Sequence, residues 1–453
     1  MTNNNNNNLR YVAHNRCDKQ LRQYPLKYPL PKFTTRLPFK RNPLDLTIDS
    51  ETLADWSYRQ FPTSQISAKN YRNVVMVSKI LMAFYYPTIT SEDSYYHLLQ
   101  DLIFIFIMDD NTEESWGQHN GQQMDKCREV WTQHISMFAV ANGHQSNPNT
   151  LPVDQMEPFI RAIIPTFEAY SRQMSAEQWK RFVGARLEFA AANIEETELL
   201  RKNGGRFTSL EEKLRIHRRT IGLKPTLLSI TYGLDIDLPE RDWSDPCMKQ
   251  LVSLVVDYCI YVNDIFSFEK ELITSIKTIL KTTTTTTTTN VNVGDTNITY
   301  GIGTGITIQS LTNNDNHTEW EALKQLSNIV AMIAIERKCS IPMAQMIVGK
   351  HIEQLDKQII QLVYDWTAGP HDYNNNNNNG DCTVDDERDG SCGSGDDGCG
   401  GDGQRLSSLS PGGIEFVRAL LYMPGAIFRS SGACDRYMII CKWWGRGGGG
   451  GLG

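Results

Sequence analysis

Two segments that lie far apart in the chain each place oxygen-bearing side chains one helical turn apart. Residues 104–114 read FIFIMDDNTEE, and residues 263–271 read NDIFSFEKE. An α-helix has about 3.6 residues per turn, so side chains four residues apart lie on one face. The first segment gives the pairs Asp109 with Glu113 and Asp110 with Glu114, and the second gives a row of Asn263, Ser267 and Glu271.

These oxygen rows predict a divalent-cation site that is divided between two helices. An acidic helix end is usually a solvated surface. Here, however, each row continues an apolar stretch, and carboxylates on a buried face are rarely left unpaired. Carboxylate, amide and hydroxyl oxygens are hard ligands that suit Mg²⁺ or Mn²⁺ rather than zinc or copper. We therefore expect the two segments to bind metal together.

The two segments resemble the DDxx(x)E and NDxxSxxxE motifs of class I terpene synthases of the microbial type. The second motif matches at its three ligand positions and also at Asp264 and Lys270. The resemblance implies an all-α, single-domain fold in which two motif helices hold three Mg²⁺ ions, or Mn²⁺, against a prenyl diphosphate. It further implies that Asp109, with Asp110 or Glu113, holds two ions, and that the second row holds the third. Whether Glu113 or Glu114 is the direct ligand stays open.

A third motif lies between these two. Ser209 and Glu212 have the spacing of a capping box and predict the start of a helix that Gly222 and Pro225 should interrupt. The resemblance implies that Arg218, 45 residues before the second row, senses the diphosphate and that the backbone carbonyl of Gly222 faces the substrate. Arg219 is an alternative sensor. Taken alone, the segment also fits a basic surface turn closed by a glycine.

Further diphosphate contacts are expected near the C-terminus and beside the second row. Arg436 and Tyr437 resemble the terminal Arg-Tyr pair of the family, which contacts the diphosphate when the pocket closes. They follow residues 413–422, which have the apolar pattern of a helix. The resemblance adds Lys270 to this diphosphate-binding set.

Low-complexity tracts interrupt an otherwise helical pattern in the 453-residue chain. We expect residues 1–50 to be an Asn- and Pro-rich extended strap that could fold over the pocket, and residues 51–445 to be the catalytic domain. Asn, Thr, Asp and Gly runs predict insertions at about 281–318 and 369–410, and residues 446–453 form a Gly-rich tail. Residues 296–308 suggest a hairpin or a Gly/Thr-rich loop within the first insertion.

Charge and cysteine usage exclude several other classes of protein. The net charge is −7, but residues 371–404 alone contribute −8, so the remaining chain is nearly neutral and gives no reason to expect nucleic-acid binding. The ten cysteines contain no CxxC pair, which argues against zinc and against a secreted disulfide framework. No signal peptide and no apolar run near ~18 residues is evident, so we expect a cytoplasmic enzyme without a membrane span, as a monomer or homodimer.

Apolar residues three and four apart predict most of the helical body. The predicted helices cover residues 74–85, 95–108, 156–170, 178–199, 248–274, 320–337 and 343–366. Side chains below the two metal rows could guide a carbocation or simply pack the helices, and these are Leu102, Ile105, Phe106, Val256, Cys259 and Ile260.

The sequence therefore predicts an enzyme that ionises a prenyl diphosphate and cyclises the resulting carbocation. The resemblance favours farnesyl diphosphate and a sesquiterpene product. A diterpene synthase acting on geranylgeranyl diphosphate is the main alternative, and a chain-elongating prenyltransferase is a second. A non-catalytic interaction protein is supported only by the homopolymer tracts. No DxDD motif occurs, so a protonation-initiated cyclase is not supported.

Overall fold

A computed structural model describes residue 28 and residues 30–60, 68–116, 121–141, 152–286, 316–368 and 409–433. This part of the chain contains helices and connecting segments but no β-strand, which confirms the predicted all-α class. The helices are α1 (Ser50–Gln60), α2 (Ala68–Tyr85), α3 (Glu92–Trp116), α4 (Gly121–Ala141), α5 (Pro158–Gln173), α6 (Ala176–Lys202), α7 (Leu210–Thr220), α8 (Leu223–Gly233), α9 (Glu240–Ser244), α10 (Pro246–Thr286), α11 (Asn316–Lys324), α12 (Ile329–Glu336), α13 (Ile341–Ala368) and α14 (Pro411–Ala433).

Helix α10 forms the middle of the fold and carries the second motif. It packs against α13 and α14 and also touches α7, α8, α11 and α12. Residues 246–276 are long and apolar enough to cross a bilayer, so the expectation that no such stretch exists was wrong. Of their most apolar window, 67% is buried inside the helical body, which is the pattern of a core helix.

The N-terminal strap has no helix or strand over residues 30–42 and then forms a short 3₁₀ turn at Pro43–Leu46. Its Phe33 ring packs edge-on against Phe266 of α10 and Phe428 of α14, with ring centroids 6.2 and 5.3 Å away. The Thr35 hydroxyl donates a 2.7 Å hydrogen bond to Asp356 of α13. The strap therefore contacts α10, which carries the second motif, and also α13 and α14, which pack against α10.

The helix predicted over residues 209–222 begins and breaks where the sequence indicated. Ser209 Oγ accepts a hydrogen bond from Glu212 N at 3.1 Å, and α7 ends at Thr220. Gly222 then adopts a φ of 72°, and Pro225 lies in the first turn of α8. A Cβ at Gly222 would make an ordinary 3.4 Å contact with Phe189 of α6, so it is the left-handed backbone that favours glycine.

Two features of the helical body differ from the sequence prediction. Residues 320–337 do not form one helix, because the chain leaves α11 after Lys324 and restarts at Ile329, with Asn328 as the N-cap. An apolar period does not show such a break when apolar residues occur on both sides of it. Helices α1, α4, α8 and α9 were not predicted. The possible hairpin at 296–308 and most of both insertions lie outside the described residues, although α10 itself continues to Thr286.

Replacing Gly222 by alanine should destabilise the protein, because an L-residue in the left-handed region costs about 1–2 kcal/mol. Gly184 provides the matched control, since it lies inside α6 and a Cβ there meets nothing within 4 Å. Gly184→Ala should stabilise by about 0.5–1 kcal/mol. The free energy of unfolding in urea checks both. Equal effects of the two substitutions would contradict the backbone argument.

Candidate metal and diphosphate site

The predicted oxygen row lies on three successive turns of α10. Ser267 is buried, and Asn263 and Glu271 are partly buried. The row continues an apolar face, since Val256, Cys259 and Ile260 in the preceding turns are buried. The side-chain amide of Asn328 donates to Glu271 Oε2 at 3.1 Å, so the row also meets the connection between α11 and α12.

Asp264, the neighbour of Asn263, faces a different part of the molecule. Its carboxylate accepts a 2.7 Å hydrogen bond from Ile329 N and lies 3.2 Å from the ammonium of Lys213 on α7. Both charged side chains are only 5% exposed. Successive residues of a helix point about 100° apart, so Asn263 and Asp264 serve different neighbours. Asp264 therefore holds α7, α10 and α12 together, a role that the motif alone did not reveal.

Burial and the nearby charge of Asp264 raise the pKa of the Glu271 carboxyl. Burial and the Lys213 cation lower the pKa of His217, whose Nε2 lies 3.8 Å from Asp264, so that imidazole is neutral at pH 7. The charged form of Glu271 is therefore disfavoured in these surroundings, and a divalent cation beside it would offset that penalty.

The first motif lies on the last turns of α3, which places Asp109, Asp110, Glu113 and Glu114 on one helix as predicted. The side chains of these four residues lie outside what the structure describes. The residues before them are described, and Phe104, Ile107 and Met108 are buried. The motif therefore extends a core helix rather than a solvated one.

The oxygen chemistry of the α10 row fits a hard divalent cation, because Asn, Ser and Glu provide neutral and anionic oxygens at helical spacing. Within the described residues, no cluster of three His, Cys, Asp or Glu side chains has the geometry of a metal site. The α10 row would not form such a cluster, because Glu271 is its only His, Cys, Asp or Glu residue. The row would supply only part of the coordination of any ion.

The two candidate sensor arginines have different partners. Arg218 donates from Nε and Nη2 to the two carboxylate oxygens of Asp257 on α10, at 2.6 and 3.0 Å. Its side chain is 46% exposed. Arg219 instead binds Glu195 of α6 at 2.5 Å. The structure thus places Arg218 against the helix of the second motif and Arg219 away from it.

The other predicted diphosphate groups are only partly described. Lys270 lies on α10 beside Glu271 and is partly buried. The Gly222 carbonyl accepts a 2.8 Å hydrogen bond from the Thr226 hydroxyl, one turn into α8. Arg436 and Tyr437 lie outside the described residues.

The predicted wall residues pack as a core below the motifs. Leu102 is buried, and Ile105 and Phe106 are partly buried and touch the same core. Sequence reasoning missed Phe189, whose ring lies beside Gly222 and packs edge-on against Trp131 at 5.1 Å. It also missed Lys213, Asp257 and Asn328. Nothing in their local sequence marks them, because each acts on a residue that is distant in the chain.

Comparison with known proteins agrees with this geometry. Residues 102–280, which span both motifs, match the family model described as terpene synthase family 2, C-terminal metal binding. The part of the chain that carries both motifs is therefore similar to the terpene synthases. Silphinene synthase of Penicillium patulum is 22% identical over 262 residues, which are 57% of this chain and 68% of that protein. Sesquiterpene synthase 9 of Postia placenta is 26% identical over 172 residues, 38% of this chain and 45% of the relative.

A solved structure of the same fold is germacradien-4-ol synthase from Streptomyces citricolor. It aligns with a TM-score of 0.56 at 15% identity and covers 89% of this chain and 98% of its own. At this identity the likeness shows the fold. It confirms the expected class I terpene synthase fold.

Removing the positive partner of Asp264 should destabilise the fold strongly. Lys213→Met leaves a buried carboxylate without its cation, which costs about 3–5 kcal/mol. Arg418→Met is the control, because the pair of Arg418 and Glu415 is exposed and should contribute less than about 1 kcal/mol. Urea unfolding measures both changes. A small loss in Lys213→Met would show that Asp264 does not depend on this ion pair.

Proposed function

We propose that this terpene synthase ionises farnesyl diphosphate with the help of Mg²⁺ and cyclises the carbocation to a sesquiterpene. The observation that carries the proposal is the row of Asn263, Ser267 and Glu271 on successive turns of a buried apolar helix. This row combines ligands for a hard cation with an apolar helix surface directly below them, which suits a leaving diphosphate above a hydrocarbon chain.

Ionisation breaks the bond between the allylic carbon and the diphosphate oxygen, and the electron pair leaves with the oxygen. Bound Mg²⁺ would supply Lewis-acid stabilisation of that leaving group. Among the protein groups, Arg218, Lys270, Arg436 and Tyr437 would donate hydrogen bonds to the diphosphate as its charge grows. Asp109, Asp110, Glu113 and Glu114 would complete the metal ligands from α3.

Arg218 has donors to spare for this role. A guanidinium carries five N–H groups, and Asp257 receives two of them. The remaining donors can meet a diphosphate while Asp257 holds the side chain against α10. This arrangement supports Arg218 over Arg219 as the sensor, because Arg219 is held by Glu195 of α6.

The carbocation then needs a dry surface until it loses a proton to give the hydrocarbon. Aromatic faces stabilise cations, and aliphatic side chains exclude water. Phe106 and Phe189 are aromatic candidates near the motif helices, and Ile105 lies close to Gly222. A C15 substrate is supported by the similarity to sesquiterpene synthase 9 of Postia placenta. We further propose that the protein acts in the cytoplasm as a monomer or a homodimer.

Incubating the purified chain with C10, C15 and C20 prenyl diphosphates and Mg²⁺, followed by gas chromatography of volatiles, tests the proposal. We expect a cyclic C15 hydrocarbon and no turnover with EDTA. A higher kcat/KM for geranylgeranyl diphosphate would make the protein a diterpene synthase. A longer linear diphosphate as product would make it a prenyltransferase.

The α10 row can be tested by substituting its residues and by comparing Ser267→Ala with the same change at a control serine of α10. Ser267→Ala and Asn263→Leu should each lower kcat/KM at least ~100-fold, because even residues that only support metal ligands contribute about 10–100-fold. Ser253→Ala makes the same change at an exposed position of the same helix and should retain activity. Circular dichroism confirms folding. Full turnover by folded Asn263→Leu would reject the metal assignment.

The choice between the two arginines has its own test. Arg218→Lys should lower kcat/KM about 10–100-fold, since a lysine cannot replace two hydrogen bonds in a fixed fork. Arg219→Lys should be milder because its partner is Glu195. Steady-state kinetics with farnesyl diphosphate measures both. A larger effect of Arg219→Lys would assign the role of diphosphate sensor to Arg219 instead of Arg218.

A further inference from the structure

We infer that Asn328 is a positioning residue that holds Ser267 and Glu271 in the arrangement needed to bind a divalent cation. The inference rests on the proposed function, because it concerns the metal row of α10. It assigns a role to a residue outside the recognisable motifs and outside residues 102–280, which match the family model.

The Asn328 side chain uses both ends of its amide. It is 1% exposed and lies in the connection between α11 and α12. Its Oδ1 accepts a 2.9 Å hydrogen bond from Val330 N and caps α12. Its Nδ2 donates to the Asp264 carbonyl at 2.8 Å and to Glu271 Oε2 at 3.1 Å, and lies 3.5 Å from Ser267 Oγ. One amide therefore reaches three residues on two turns of α10.

An amide suits this position chemically. It has two N–H groups, of which the Asp264 carbonyl takes one and the side chains of the row receive the other. A neutral donor can fix the rotamer of Glu271 and leave the negative charge available to a metal. A lysine or arginine there would neutralise the carboxylate and compete with the cation. Residues that hold metal ligands in this way affect affinity without touching the ion.

The backbone at Asn328 is held independently of its side chain. The next residue, Ile329, donates its backbone N–H to Asp264, which is itself paired with Lys213. Removing the Nδ2 donor should therefore leave the start of α12 in place while freeing the side chains of Ser267 and Glu271. This separation makes the positioning role distinguishable from the capping role.

Asn328→Ser provides the decisive variant, because serine is as good an N-cap as asparagine but has no amide donor that can reach α10. A purely structural cap predicts unchanged metal binding in this variant. A positioning residue predicts weaker metal binding with a nearly unchanged unfolding temperature. Asn328→Thr makes the same distinction with a second capping residue, should the serine variant fold poorly.

Asn42 provides the matched control. Its Oδ1 caps the 3₁₀ turn by accepting from Leu44 N at 2.9 Å, and its Nδ2 donates to the carbonyls of Tyr86 and Ile89 at 2.7 and 2.8 Å. It is fully buried, like Asn328. Asn42→Ser therefore removes the same kind of donor from the same kind of buried cap, at the connection between α2 and α3 rather than at the metal row.

The experiment is calorimetric titration of the full chain with Mg²⁺ in the presence of inorganic diphosphate, together with the Mg²⁺ dependence of turnover. We expect Asn328→Ser to weaken Mg²⁺ binding about 10–100-fold and to raise the Mg²⁺ concentration for half-maximal rate similarly. Asn42→Ser should bind like wild type. If wild type binds and Asn328→Ser binds equally, the inference is overturned while the proposed function stands. If wild type does not bind Mg²⁺ and diphosphate at all, both the proposed function and the inference fail.

Discussion

The buried carboxylate of Asp264 is the interaction on which the arrangement of the site depends. It joins the ammonium of Lys213 on α7 to the first backbone N–H of α12, and it does so from the helix that carries the metal row. A buried charge is tolerated only when it is paired and hydrogen-bonded, so these three helices cannot separate without exposing an unpaired ion. The positions of α7 and α12 relative to α10 follow from that constraint.

This constraint explains why one short motif serves two purposes. Asn263, Ser267 and Glu271 repeat every four residues and remain on one face, whereas Asp264 points to the side that packs on α7 and α12. The polar residues of the motif therefore divide into ligands and an anchor. Asn328 connects the two groups, since its amide bonds to the Asp264 carbonyl and to Glu271. The anchor and the proposed metal ligands are thus coupled within about two turns of helix.

The sequence predicted the parts of this arrangement that repeat locally. The row on α10 and the break at Gly222 follow from helical period and from glycine and proline chemistry, and both were found where expected. The partners of those residues could not be predicted in the same way. Lys213, Asp257 and Asn328 each contact a residue more than 38 positions away, and only the packing of helices brings them together. The break before α12 was missed because apolar residues continue on both sides of it and no glycine or proline marks it.

A second buried ion pair fixes the other motif helix in the same manner. Asp101 of α3 binds Arg186 of α6, and both side chains are almost fully buried. Each motif helix is therefore tied by a buried carboxylate to one of two adjacent helices, since α6 and α7 pack against each other. Sliding either motif helix by one turn, about 5.4 Å, would leave its aspartate without a partner in an apolar interior. Each ion pair therefore favours the observed helical register over a shift of one turn, because the shifted helix would bury an unpaired carboxylate.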